Sequence, residues 1–110
     1  MKFDHVALSV KKNEVESTAT WYRDNMSAEI LYQDSTWAML NVAGVKIALV
    51  VPSQHPPHVA FRINKNQYLN FKKAGKIFKT HRDRSESFYE KDASGNMLEF
   101  MFWKTIGQEN

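Results

Sequence analysis

The sequence predicts an α+β fold of two βαβββ modules whose curved, antiparallel-type sheets pair around a cleft, and three observations carry that expectation. First, Asp4-His5-Val6-Ala7-Leu8-Ser9-Val10 is echoed by Pro57-His58-Val59-Ala60-Phe61-Arg62-Ile63, an offset of 53 residues in a chain of 110. Second, each run alternates with the period of a half-buried strand and then gives way to helical spacing. Third, each helix is followed by three short strand-like segments, so both halves keep the order strand, helix, strand, strand, strand.

In the first strand Val6, Leu8 and Val10 share one face, as do Val59, Phe61 and Ile63 in its counterpart, which turns His5 and His58 to the other face. Asn13 is placed to cap a helix whose apolar positions are Val15, Ala19, Tyr22 and Met26. Residues 28–33, 36–42 and 45–51 read as three strands, with turns at Asp34-Ser35 and Ala43-Gly44. Ser53-Gln54-His55-Pro56-Pro57 connects the halves, because paired prolines do not sit inside a sheet. In the second half Asn64 caps a helix carrying Tyr68, Phe71 and Ala74, and Gly75 suits the left-handed conformation that ends it. Residues 76–80, 87–91 and 97–103 complete the pattern, with a turn over Asp92-Ala93-Ser94-Gly95-Asn96. A module of about 50 residues buries too little surface to stand alone, so one domain is expected over 1–110, with repeats over 1–53 and 57–104. The modules pair with each other or with a second chain.

The composition, 43% apolar and 25% charged, is that of a soluble globular domain. No apolar run approaches the roughly 18–20 residues of a membrane span, and the N-terminus lacks a signal peptide's layout, so a cytoplasmic protein with no membrane partner is expected. The net charge of +3, from 15 Lys and Arg against 12 Asp and Glu, does not imply nucleic acid. The one marked basic run, Lys72, Lys73, Lys76, Lys79, Arg82 and Arg84, has Asp83 and Glu86 close by and lacks interleaved aromatics, which favours a solvated face. Cysteine is absent. Disulfides, thiolate zinc sites and cysteine nucleophiles are thereby excluded, and His, Asp and Glu remain as metal ligands.

In the last strand Leu98, Phe100 and Phe102 alternate with Met97, Glu99, Met101 and Trp103. With Leu98, Phe100 and Phe102 toward the helix, Glu99 lies on the same side as His5 and His58. Two imidazoles and a carboxylate suit a divalent ion, Fe(II), Mn(II), Ni(II) or Zn(II), with positions left open for water or substrate oxygens. The same residues admit a second reading, partly exposed strand-end histidines and a Glu99–lysine pair. The repeat favours the metal, because both histidines occupy equivalent positions in two copies of one unit. It also predicts a fourth ligand where Ile47-Ala48-Leu49 stands for Leu98-Glu99-Phe100, and there the sequence has Ala48.

The paired units, a histidine opening each one, and Asp92-Ala93-Ser94-Gly95-Asn96-Met97-Leu98-Glu99 resemble the vicinal oxygen chelate superfamily, which includes glyoxalase I, bleomycin-resistance proteins, extradiol dioxygenases and fosfomycin-resistance thiol transferases. The resemblance spans nearly the whole chain and implies a glyoxalase-like fold with His5, His58 and Glu99 at the metal-ligand positions. Ala48 stands where glyoxalase I has a glutamate, a departure from ordinary glyoxalase chemistry. The stretch from Lys79 to Tyr89 is similar to the one that supplies a substrate-binding lysine and tyrosine in fosfomycin-resistance enzymes, so the resemblance implies Lys79 and Tyr89 as residues that position or polarise substrate. Ala7 replaces the threonine of those enzymes, and the tail after Trp103 lacks their arginine. His81 is a stand-in for the additional histidine of the dioxygenases.

Strand alternation also places Trp37, Met39, Asn41, Lys46, Arg62, Tyr89, Met101 and Trp103 on the histidine face, as the lining of a small-molecule site or as ordinary core. Arg62 is a candidate to hold an anionic group. The expected function is metal-dependent lyase, isomerase, thiol-transferase or dioxygenase chemistry on a small oxygen-chelating substrate, with antibiotic resistance among the family's roles. The alternative is a metal-free small-molecule or drug-binding protein like the bleomycin-resistance proteins. A homodimer is expected, with His5 from one chain and His58 and Glu99 from the other.

Overall fold

The computed structural model describes residues 1–104, which form β1 (Lys2–Ser9), α1 (Val15–Met26), β2 (Glu29–Gln33), β3 (Trp37–Val42), β4 (Val45–Val50), β5 (His58–Arg62), α2 (Lys65–Lys73), β6 (Lys79–Thr80), β7 (Ser85–Lys91) and β8 (Met97–Trp103). The strands line up in the order β2-β3-β4-β1-β5-β8-β7-β6. Read from either end, this order repeats itself: β2-β3-β4-β1 is answered by β6-β7-β8-β5. The sheet is mixed, because β1 and β4 run parallel, from Val6 opposite Ile47 to Ser9 opposite Val50. Connectivity requires this, since α1 carries the chain across before β2, β3 and β4 turn back and forth. The tail at 105–110, read in the sequence for an arginine, lies outside the described residues. Among those residues no helix is long and apolar enough to cross a membrane.

Two compact units are present, one over His5–Val59 and one formed by Met1–Asp4 with the chain from Ala60 onward. In the first, α1 lies on β2, β3 and β4. Val15 and Ala19 from the helix meet Ala38, Leu40, Val42 and Leu49 from the strands, all of them buried. The opposite face of β3 and β4 therefore carries Trp37, Met39, Asn41, Lys46, Ala48 and Val50. Helix α1 departs from expectation at its start, where Asn13 adopts φ 71° and Glu14 is the cap, with no side-chain hydrogen bond. Asparagine tolerates the left-handed region better than most residues, and here it is used to turn the chain out of β1 rather than to cap. Leu8, expected in the core, is 37% exposed, because α1 packs on β2–β4 and leaves β1 uncovered on that side.

The second unit has an aromatic core. Tyr68 stacks on Phe102 at 4.2 Å, and Phe71 meets both Phe88 and Phe100 at 5.0 and 5.2 Å. Phe100 and Phe102 thus point to α2, and Glu99, Met101 and Trp103 point the other way, as alternation requires. Asn64 caps α2 through a reciprocal pair: its side chain accepts from the Gln67 N–H at 2.8 Å, and the Gln67 side chain accepts from the Asn64 N–H at 3.0 Å. The helix closes with Gly75 at φ 92°, whose N–H reaches Lys72 O while Lys76 N–H reaches Phe71 O. This closing motif uses Lys76, so β6 shrinks to Lys79–Thr80 instead of starting at 76.

Asn64→Ala is expected to cost about 1 kcal/mol, or a fall in Tm of several degrees for a domain of this size, measured by thermal unfolding. A variant as stable as the parent would contradict the capping assignment. Leu40→Ala, at a position with no exposure, is expected to cost about 2–5 kcal/mol.

Candidate metal centre

His58 opens β5 immediately after the two prolines. Proline fixes φ and contributes no N–H, so this segment stays out of the sheet ladder and keeps its carbonyls available. The Pro56 carbonyl accepts from His58 Nδ1 at 2.8 Å. A carbonyl oxygen cannot donate, so Nδ1 carries the proton and the lone pair of the neutral ring sits on Nε2. His58 Nε2 lies 3.2 Å from His5 Nε2, with the rings edge to face at 75°. Two ligands about 2.0–2.1 Å from one ion, at octahedral or tetrahedral angles, stand about 2.8–3.4 Å apart. The two imidazoles therefore have the spacing that a shared ion needs. With the lone pair of His58 on Nε2, His5 Nε2–H donates to it.

Glu99 lies directly opposite Tyr89 in the β7–β8 ladder. The Tyr89 hydroxyl donates to the Glu99 carboxylate, and burial, together with that charge, drives the phenol well above its ordinary pKa. Tyr89 consequently stays protonated and holds the carboxylate in place. Potential ligand atoms of His5, His58 and Glu99 all lie within 4.8 Å of one another, and all three residues are buried. Buried charges are ordinarily paired or bound to metal, and each of two members has an orienting partner of the kind that surrounds metal ligands. All three belong to one chain.

The remaining expected residues divide into two groups. On the first unit, Met39 lies opposite Ala48, Trp37 opposite Val50 and Asn41 opposite Lys46. Ala48, in the place of a fourth ligand, joins Ala7 and Val50 in a small apolar cluster against which Met39 packs. On the second unit Arg62 lies over the Trp103 ring at 4.2 Å and pairs with Asp4 at 3.5 Å, so its charge is already engaged. Met101 and Lys79 both stand opposite Ser87, and Lys79 is exposed on the edge strand. Sequence reading missed three features. The Pro56 carbonyl is invisible as a backbone group, although the proline pair marked its location. Tyr32 stacks on Trp37 at 4.7 Å, a pairing hidden by the register shift between Ile30 and Tyr32. The His81 Nε2–Ser87 Oγ hydrogen bond of 2.6 Å depends on the turn at 81–85.

That turn is organised by Asp83, which accepts from the Ser85 hydroxyl and N–H at 2.6 and 2.9 Å and from the Trp103 side chain, and its pKa is lowered in consequence. The folded pKa lies below the unfolded value, so the unfolded chain binds more protons on acidification. The contribution is present above the ordinary carboxylate pKa of about 3.9 and is lost as pH falls through the folded value. Asp83→Asn is expected to flatten the loss of stability below about pH 4 in urea titrations, whereas an unchanged slope would contradict the assignment. For His58, long-range proton–nitrogen NMR of metal-free protein is expected to find the Nδ1–H tautomer; an Nε2–H tautomer would refute the Pro56 hydrogen bond.

No family model and no curated protein matches the chain. Solved structures do match it across almost its whole length. A member of the glyoxalase/bleomycin resistance protein/dioxygenase superfamily from Vibrio splendidus 12B01 is 12% identical with a TM-score of 0.66, covering 89% of this chain and 96% of its own. A variant of Streptomyces coelicolor methylmalonyl-CoA epimerase, in complex with 2-nitronate-propionyl-CoA, is 14% identical with a TM-score of 0.68, covering 100% and 98%. A Legionella pneumophila protein described as NAD-dependent benzaldehyde dehydrogenase is 16% identical with a TM-score of 0.61, covering 90% and 97%. Such different descriptions share one architecture, and a fold alone does not carry a reaction. The internal repeat, the strand order and these likenesses agree that the chain has the fold of the vicinal oxygen chelate superfamily.

Proposed function

We propose that the chain is a metal-dependent enzyme of the glyoxalase and fosfomycin-resistance type, acting on a small oxygen-chelating substrate, with His5, His58 and Glu99 as the ligands. The observation that supports this most directly is the 3.2 Å approach of two imidazole Nε2 atoms, one of them fixed in its tautomer by the Pro56 carbonyl. A bound Fe(II), Mn(II), Ni(II) or Zn(II) supplies Lewis acidity toward two neighbouring substrate oxygens and stabilises negative charge that develops there. Three protein ligands leave positions open, and Ala48 adds no fourth.

The chain's own residues do the rest. The Pro56 carbonyl keeps the His58 lone pair on Nε2, and the Tyr89 hydroxyl orients the Glu99 carboxylate without giving up its proton near neutral pH. Burial of His5, His58 and Glu99 excludes bulk water from their ligand atoms. Lys79 is the cation that this reading assigns to positioning or polarising substrate. Arg62 keeps its place in the substrate-lining set through its contact with Trp103. The reaction class includes isomerase, lyase, thiol-transfer and dioxygenase chemistry.

A second reading, a metal-free small-molecule binder, is favoured by one observation: His5 and His58 hydrogen-bond directly to each other. Chelator-treated protein titrated with Mn(II), Ni(II), Zn(II) and anaerobic Fe(II) separates the two. An ion at 100 times its Kd is expected to add about 2.7 kcal/mol of apparent stability and raise Tm by several degrees. His58→Ala and Glu99→Gln are expected to abolish that rise, and Tyr89→Phe to weaken metal affinity about 10–100-fold. A wild-type Tm indifferent to all four ions would contradict the metal reading and favour the binder.

A further inference from the structure

We infer that the turn after α2 is a reversible docking site for an anionic lipid surface, with Ile77 entering the interface and Lys73 and Lys79 facing the headgroups. From Asn64 to Arg82 the sequence carries Lys65, Lys72, Lys73, Lys76, Lys79 and Arg82 and no acidic residue. The fold draws the aromatic residues of this run inward. Tyr68 and Phe71 belong to the core of the second unit, and Phe78 joins them, its ring 4.8 Å from both Tyr68 and Phe88. Lys76 turns the same way and donates to Glu90 at 2.9 Å. With Lys76 and Phe78 drawn in, Ile77 between them and Lys79 after them face out.

Ile77 is 87% exposed, the highest value among the large hydrophobic residues described. At that exposure it adds almost nothing to the core, and a polar residue would serve the turn as well. A lone exposed apolar side chain is ordinary on a protein surface, but this one stands among cations. Lys73 lies on the outward face of α2, because Tyr68 and Phe71 occupy the inward one, and Leu69, one turn earlier on that face, is 48% exposed. A depression lined by Asn66, Leu69, Asn70, Lys72 and Lys73 lies there, and its amide and ammonium donors beside an aliphatic side chain suit a phosphodiester headgroup. Two acids border the patch from β7. Glu90 is held by Lys76, and Glu86 accepts at 2.8 Å from the Tyr68 hydroxyl, to which Lys72 also donates at 3.2 Å. These four charges offset one another, and the excess beside the tip rests on Lys73 and Lys79. Cations are drawn to an anionic leaflet, and an inserted aliphatic group adds apolar burial, so the two together give a reversible contact that needs no spanning helix. Nucleic acid would engage the same lysines but leave Ile77 against phosphate and water.

The test mixes the full chain with vesicles of phosphatidylcholine alone, or with phosphatidylserine added, and reads binding by co-sedimentation. Binding is expected only to the phosphatidylserine-containing vesicles, and is expected to be lost at about 1 M salt, where the Debye length is about 3 Å. Lys73→Gln and Lys79→Gln are each expected to weaken it about fivefold, and Ile77→Ser about tenfold with Tm unchanged. The chain has no cysteine, so Ile77→Cys carrying an environment-sensitive dye reports on the tip alone, and its emission is expected to shift to the blue on these vesicles. Absence of binding, equal binding to pure phosphatidylcholine, an unshifted dye, or Ile77→Ser binding as tightly as wild type would overturn the proposal. Tighter binding to duplex DNA that ignores Ile77→Ser, or self-association that Ile77→Ser abolishes without any vesicle binding, would give the surface another occupant and overturn it as well. None of these outcomes bears on metal binding by His5, His58 and Glu99.

Discussion

Two imidazole nitrogens held 3.2 Å apart in a buried setting are the constraint on which the rest of this structure turns. Such an approach is tolerable in only a few ways. If both rings were protonated they would repel; if both presented lone pairs with nothing between them, they would repel as well. One ring must donate to the other, or both must face a common cation. The Pro56 carbonyl removes half of the ambiguity by taking the Nδ1 proton of His58, so that the lone pair faces His5. The backbone thereby prepares one ring as an acceptor, and the same lone pair is the one that an ion would take.

The sheet delivers these groups through its pleat. Once apolar residues on β3, β4, β5 and β8 are committed to the helices, alternation leaves their neighbours on the other face, and these include His58 and Glu99. The two units use that face differently. Around Glu99 the second unit offers hydroxyls, with Tyr89 opposite it and Ser87 one step along the strand. Around Ala48 the first unit offers the apolar side chains of Ala7, Val50 and Met39. A duplicated architecture has thus become chemically lopsided, and lopsidedness of this kind is how one scaffold can be turned to different small molecules.

Much of this was legible in the sequence. The repeat of His5 and His58 was visible because both follow an acidic or proline residue and open the same alternating run. Glu99 was visible because a carboxylate between Leu98 and Phe100 has few stable settings. Asn64 and Gly75 announced the ends of α2 by local chemistry that tertiary structure did not override. What escaped notice depended on groups or contacts that a one-letter code does not contain. The Pro56 acceptor is backbone. The Asp4 partner of Arg62 is remote in sequence. Asn13 looked like a cap because its side chain can be one, yet the turn out of β1 needed its backbone freedom more.

The central claim, that one ion is shared by His5, His58 and Glu99, is tested most directly by anomalous diffraction at the zinc edge from crystals grown with Zn(II). The account predicts one peak about 2.0–2.2 Å from Nε2 of both histidines and from a Glu99 carboxylate oxygen. A zinc peak elsewhere, with His5 and His58 still hydrogen-bonded to each other, would contradict it.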